Sequence, residues 1–203
     1  FDISGADGED GTAYLHTITQ AFLDGRKLLA GAGGEKLTDE QRAALRDYAA
    51  TIATNWEKVF AEATFRYAGS VYKDMVKLQT IIEANGDTTK AYDSYVKHWG
   101  ELKGFSLALQ TGKTNLGGTA TRLNRLIGFG PLLPNLSQVV DVDGKGNYVR
   151  DQGVSWGEYM LHMAKVQQLM IDEFDVKARN NDMTDEIASL AKSLGGGASA
   201  END

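Results

Sequence analysis

The sequence predicts an all-α fold, a helical bundle of about five to six helices with one long irregular loop. Three observations predict it. Only 2 prolines stand in 203 residues, against 23 glycines; scarce proline permits long helices, and glycines clustered between periodic segments punctuate them. Apolar residues recur at three- and four-residue steps over most of the chain, which is the helical period. No apolar–polar alternation persists between turn signals, so no strand is predicted.

Residues 1–11, FDISGADGEDG, are acidic and glycine-rich and read as a linker. From Thr12, Leu15, Ile18, Phe22 and Leu29 fall at helical spacing, and AGAGGEK ends that helix. Thr38 with Gln41 three residues on makes a capping box, and Asp39 and Glu40 favour the first turn. A helical pattern then runs from Asp39 to about Ala84 and stops at Asn85-Gly86. Straight, it would be on the order of 65 Å long, so it reads as either bent or two helices, with the break near Gly69. Thr88 or Thr89 caps a helix to about Gln110, TGKTNLGG is a loop, and a short helix spans Thr119 to Ile127.

Residues 128–154 hold both prolines and the polar run DVDGKGNYVRDQG, and read as a long surface loop. Ser155 followed by Glu158 is a second capping box, opening a helix to about Arg179, and Thr184 starts a last short one. The tail 195–203 reads as disordered. Residues 12–194 thus make one domain.

Composition narrows the chemistry. Lys plus Arg number 21 against 28 for Asp plus Glu, a net charge of −7; no basic cluster stands against the acids, so no nucleic-acid partner is expected. No apolar run reaches membrane-spanning length. The chain has no cysteine, which removes disulfides, thiolate metal sites and cysteine nucleophiles. It opens at Phe1 without a signal region and reads as a mature or trimmed piece, any lipid anchor lying upstream.

His98-Trp99-Gly100-Glu101 is the most suggestive segment. Residues three apart share a helix face, so His98 and Glu101 could converge on one ion; imidazole with carboxylate is a donor set suited to iron, zinc or manganese. The same spacing also serves a salt-bridged histidine on a helix surface. Glu158 and His162, four apart, form a second pair, opening with Trp156-Gly157-Glu158 as the first holds Trp99-Gly100-Glu101. Two helices each bearing Glu and His carry the donor types of bundle metal sites, although a repeated tripeptide also fits chance or a helix start with a buried Trp.

Met160, Met163 and Met170 around His162 read as core filler rather than a thioether copper site. Gly112-Lys113-Thr114 lacks the preceding glycine and strand of a P-loop. Asp141–Asn147 looks like a calcium loop, but Lys145 stands where an EF-hand needs an oxygen side chain and Gln152 where it needs a bidentate Glu. Trp56, Phe60, Tyr67, Tyr92, Tyr95, Trp99 and Phe105 are predicted in the inter-helix core. No hydrolase triad assembles, since no Ser stands in a nucleophile elbow.

The runs NWEKVFAEATFRYAGSVYKDMVKLQ and YVKHWGELKGFSLALQ, followed by a proline-containing loop ending in NYVRD, resemble a group of uncharacterised bacterial envelope lipoproteins over roughly residues 12–175. That group is met near imelysin-type proteins and iron-uptake functions. The resemblance implies an imelysin-like helical bundle, periplasmic or held at the outer membrane by a lipid anchor outside this chain. It further implies that this chain is the C-terminal part of a longer protein. The imelysin-like group carries a Gly-x-His-x-x-Glu motif proposed to bind metal; His98 and Glu101 match its second half, while Val96 stands where the glycine belongs.

The expected function is non-catalytic binding of a metal ion, iron or zinc, tied to iron acquisition, through His98, Glu101, Glu158 and His162. The alternatives are an imelysin-type metallopeptidase, for which the helix motif His-Glu-x-x-His is absent, and a structural or partner-docking module without metal. An envelope protein or a missing N-terminal half is the expected partner.

Overall fold

The computed structural model describes residues 13–112, 114–177 and 179–195. The linker expected at 1–11, and the tail expected at 195–203 save Gly195, lie outside them. The described residues form six helices and one small two-stranded sheet, in the order α1 (Tyr14–Gly31), α2 (Asp39–Glu83), α3 (Thr89–Gln110), α4 (Gly118–Ile127), β1 (Ser137–Val142), β2 (Tyr148–Gln152), α5 (Trp156–Phe174) and α6 (Glu186–Ser193). The all-α bundle expected from the sequence is present, and no described helix is long and apolar enough to cross a membrane.

The axis of the molecule is α2, 45 residues without a break and about 68 Å long. Its start is the full capping box: the Thr38 side chain accepts from the Gln41 amide and the Gln41 side chain accepts from the Thr38 amide. Its stop is Asn85, which takes a left-handed φ of 52°, a conformation asparagine tolerates better than most residues.

The expected break at Gly69 does not occur. Gly69 is a contact glycine: a Cβ there would fall 1.9 Å from the Asn181 carbonyl oxygen and 2.6 Å from Gln167 Nε2. The wholly buried Gln167 of α5 fixes this contact, its Nε2 donating to the Phe65 and Asn181 carbonyls and its Oε1 accepting from the Met183 amide. One side chain thereby joins α2, α5 and the segment leading into α6.

Two other boundaries differ from expectation, while the Ser155 cap forms as expected. Asp87, not Thr88 or Thr89, organises the start of α3, accepting from both the Thr89 amide and hydroxyl. Ser155 caps the Glu158 amide. That helix ends at Phe174 rather than near Arg179, because Asp175 turns left-handed at φ 53° and Val176 drops into the core.

The long loop expected at 128–154 holds an antiparallel hairpin. Ser137 pairs with Gln152 and Val142 with Tyr148, with a bulge between Val139 and Asp141. Residues 140–152 are exposed on both faces, so there is no buried face to write an alternation into the sequence. The calcium-like loop is its turn: Asp143 accepts from the Lys145 and Asn147 amides and from the Asn147 side chain, and these bonds hold its carboxyl below the usual range.

The core lies where α3 and α5 pack on the C-terminal part of α2. Phe65, Met75, Leu78, Leu102 and Met163 are wholly buried there, and every buried residue of α2 lies at Val59 or beyond. Leu123, Ile127 and Leu132 close one end. Aromatic polar groups inside are paired: Trp99 Nε1 donates to the Tyr159 hydroxyl, which donates to the Ile127 carbonyl, and the Tyr95 hydroxyl donates to the Leu132 carbonyl. By contrast, α1 packs on α2 and on no other described element.

Gly69→Ala should lower stability by roughly 2–3 kcal/mol, because its methyl meets backbone that cannot swing aside. Urea unfolding of the variant checks this, and a midpoint equal to the parent's would mean that the Asn181 segment yields freely. Tyr159→Phe should cost about 1–3 kcal/mol by leaving the buried Trp99 indole without its acceptor.

Candidate functional site

Helices α2 and α3 run antiparallel, joined by a turn of a few residues, and meet along a seam that both sequences write at helical spacing. On α2 the seam residues are Phe60, Tyr67 and Asp74, seven apart. On α3 they are Ser94, His98, Glu101 and Phe105, at steps of four, three and four. From one end to the other the seam changes from apolar to polar. Phe60 lies 6.4 Å from Phe105, and Phe105 stacks on Tyr67 at 5.5 Å and 11°. Tyr67 then tilts against His98 at 6.0 Å.

The polar end is held by Asp74. Its Oδ2 lies 2.6 Å from His98 Nδ1, so Nδ1 carries the proton and donates it. The Ser94 hydroxyl donates to the same carboxylate at 3.2 and 3.3 Å. The His98 and Asp74 side chains are 28% and 13% exposed, so the pair sits at the rim of the seam rather than under it. One turn along α3 from His98, Glu101 Oε2 is buried and has no hydrogen-bond partner among the described residues. Buried oxygens without a partner are uncommon and call for an explanation such as an ion or a water.

Of the residues predicted to bind metal, the structure keeps His98 and Glu101 on one seam and puts the others elsewhere. His162 is buried in α5 on the side facing α4, hydrogen-bonded to the Leu126 backbone and edge-on to Tyr159 at 6.1 Å. Glu158 stands in the first turn of α5, where its amide is capped by Ser155. No group of three or more His, Asp or Glu among the described residues is placed to hold a metal ion, so the four do not form one centre. The reason is directional: His98 looks from α3 to α2, and His162 from α5 to α4.

The repeated Trp-Gly-Glu marks two tryptophans tied into the core, the buried Trp99 bonded to Tyr159 and the half-buried Trp156 to the Met75 carbonyl. Met160, Met163 and Met170 are core filler, all buried. The sequence did not point to Asp74 or Ser94, and it placed Tyr67 only in the inter-helix core. The signal that could have found them is the seven-residue step Phe60–Tyr67–Asp74 ahead of the His98 stripe.

Burial, with the charge of Lys165 second to it, pushes the His162 imidazole down to about 4, the Leu126 bond opposing in part. An unfolded histidine titrates near 6.5. Between those values the unfolded chain holds a proton that the folded chain lacks, so stability falls as pH drops from about 6.5 toward 4. The loss is at most roughly 3 kcal/mol, from about 1.4 kcal/mol per pH unit. His162→Gln should flatten the melting temperature against pH across that window; a slope as steep as the parent's would assign the acid sensitivity to other groups. No protein-family model, curated protein or solved structure matches this chain.

Proposed function

We propose that this chain is a non-catalytic metal-ion-binding protein of the bacterial cell envelope, with His98 and Glu101 as the protein ligands. The observation that carries the reading is the unpartnered, buried Oε2 of Glu101 one turn from a histidine whose Nδ1 is already taken by a carboxylate. A carboxylate behind one ring nitrogen fixes the ring and leaves Nε2 as the donor, which is how metal-binding histidines are commonly supported. The envelope location and the link to iron uptake rest on the sequence resemblance.

The donor chemistry fits iron(II), zinc or manganese(II). The donor count fits only an open centre. A closed structural zinc site takes four protein ligands and a catalytic one three; here two side chains leave the remaining positions to water or to donor atoms of a carried chelate. Such a site favours capture and release over permanent retention. Peptide cleavage would need a further ligand and a free general base beside the bound water, and Asp74 is engaged by both His98 and Ser94.

A second reading takes Asp74 as a plain tie between α2 and α3, and the short Asp74–His98 contact together with Ser94 favours it. One experiment separates the two. Chelator-free protein is titrated calorimetrically with iron(II), zinc and manganese(II). Metal binding predicts one equivalent, abolished in His98→Ala and Glu101→Gln and weakened about 10- to 100-fold in Asp74→Asn with helicity retained. The tie predicts no heat above background, and a loss of about 1–2 kcal/mol of stability in Asp74→Asn. That second pattern would falsify the metal reading.

A further inference from the structure

The N-terminal part of α2 and the whole of α1 form a two-helix arm with an apolar face that no other described element covers. Helix α1 carries two apolar stripes. Ile18, Ala21 and Gly25 are buried against α2. Leu15, Phe22 and Leu29, seven residues apart, are 45%, 60% and 52% exposed; a seven-residue step drifts only about 20° around a helix, so the three share a face. Phe22 and Leu29 form one wall of a groove of about 320 Å³ that runs between the two helices, with Leu45, Tyr48 and Ile52 opposite and Arg26 at its edge. A protruding ring and an apolar hole therefore occupy the same face, and contiguous patches of this kind mark interaction sites.

We propose that this face is where two copies of the chain dimerise, α1 packing antiparallel against α1 of the second copy across a two-fold axis at Phe22. The stripe Leu15-x6-Phe22-x6-Leu29 reads the same in both directions. An antiparallel pair centred on Phe22 sets Leu15 against the partner's Leu29 twice over. It also brings each ring to the mouth of the other copy's groove. A two-fold interface requires this self-complementarity.

Charge agrees with the arrangement. Reflected about position 22, Asp24 falls on Gln20, Arg26 on Ile18 and Lys27 on Thr17, so no two like charges are directly opposed. Size agrees as well. Helix α1 has 18 residues, about 27 Å, and two helices side by side are about 20 Å wide. The face is then on the order of 500 Å² per copy and 1,000 Å² per pair, near the lower bound for a specific interface. The inference stands apart from the metal reading, since no residue of the arm's face belongs to the α2–α3 seam.

The test is sedimentation velocity on the full 203-residue chain across micromolar to several hundred micromolar concentration. The expected result is a concentration-dependent species of twice the 22.0 kDa chain mass, with self-association weakened at least tenfold in Phe22→Glu. Circular dichroism of that variant should match the parent, because Phe22 projects into solvent. The absence of native cysteine allows a second, geometric check with a short bis-maleimide. Phe22→Cys should link to itself and Leu15→Cys should not, while mixed Leu15→Cys and Leu29→Cys copies should link to each other. A chain monomeric throughout, a dimer indifferent to Phe22→Glu, or self-linking of Leu15→Cys would each overturn the proposal.

Discussion

Everything else in this structure follows from a mismatch of lengths. Helix α2 has 45 residues, whereas α3 and α5, which bury its core-facing side chains, have 22 and 19. At 1.5 Å per residue the two shorter helices cover about 30 Å of a rod of about 68 Å. The molecule therefore divides along α2. From Val59 onward α2 is one wall of a closed three-helix core, and before Val59 it is half of a hairpin with α1, whose first residue, Tyr14, still bonds Glu62 within the closed part. Alanines 43, 49 and 50 on the arm are exposed, while Ala61, Ala63 and Ala68 beyond it are buried. Alanine stabilises a helix without needing a partner, which lets one element serve both settings.

Within the closed part, polar groups are used to fix positions rather than left to chance. Gln167 satisfies its amide by bonding the backbone of two other segments, and the Trp99–Tyr159–Ile127 chain joins α3, α5 and the end of α4. Such fully satisfied buried networks favour a single packing of the core, since any other leaves costly unpaired donors. Glu101 is the exception. Its unpartnered oxygen sits between the aromatic stack and the Asp74–His98 pair, where the seam passes from apolar to charged.

The helices were legible because their signals are local. The Thr38–Gln41 box, the Asn85-Gly86 stop and the amphipathic runs are each written within a few residues. The hairpin was not legible, since a ribbon exposed on both faces has no apolar face to repeat. Gly69 gave a real signal with the wrong meaning: a glycine inside a helical pattern weakens it locally, but here absence of a side chain admits another segment. The candidate site was half legible. His98 and Glu101 lie three residues apart on one helix and could be paired by eye, whereas Asp74 lies 24 residues earlier on another helix, and only the packing of α2 on α3 brings it there. That Glu158 and His162 do not join His98 and Glu101 in one centre was not legible for the complementary reason, as correct spacing on one helix says nothing about which neighbour the face meets.

The unbroken hydrogen-bond ladder of α2 also makes it a lever. Tyr48, in the wall of the apolar groove, and Asp74, in the polar seam, are 26 residues apart on one rod, about 39 Å. A tilt of about 5° over that length moves one end by roughly 3 Å relative to the other, as far as the whole Asp74–His98 hydrogen bond is long. Any change that dimerisation imposed on the arm's direction would reach Tyr67 and Asp74 through this one unbroken helix.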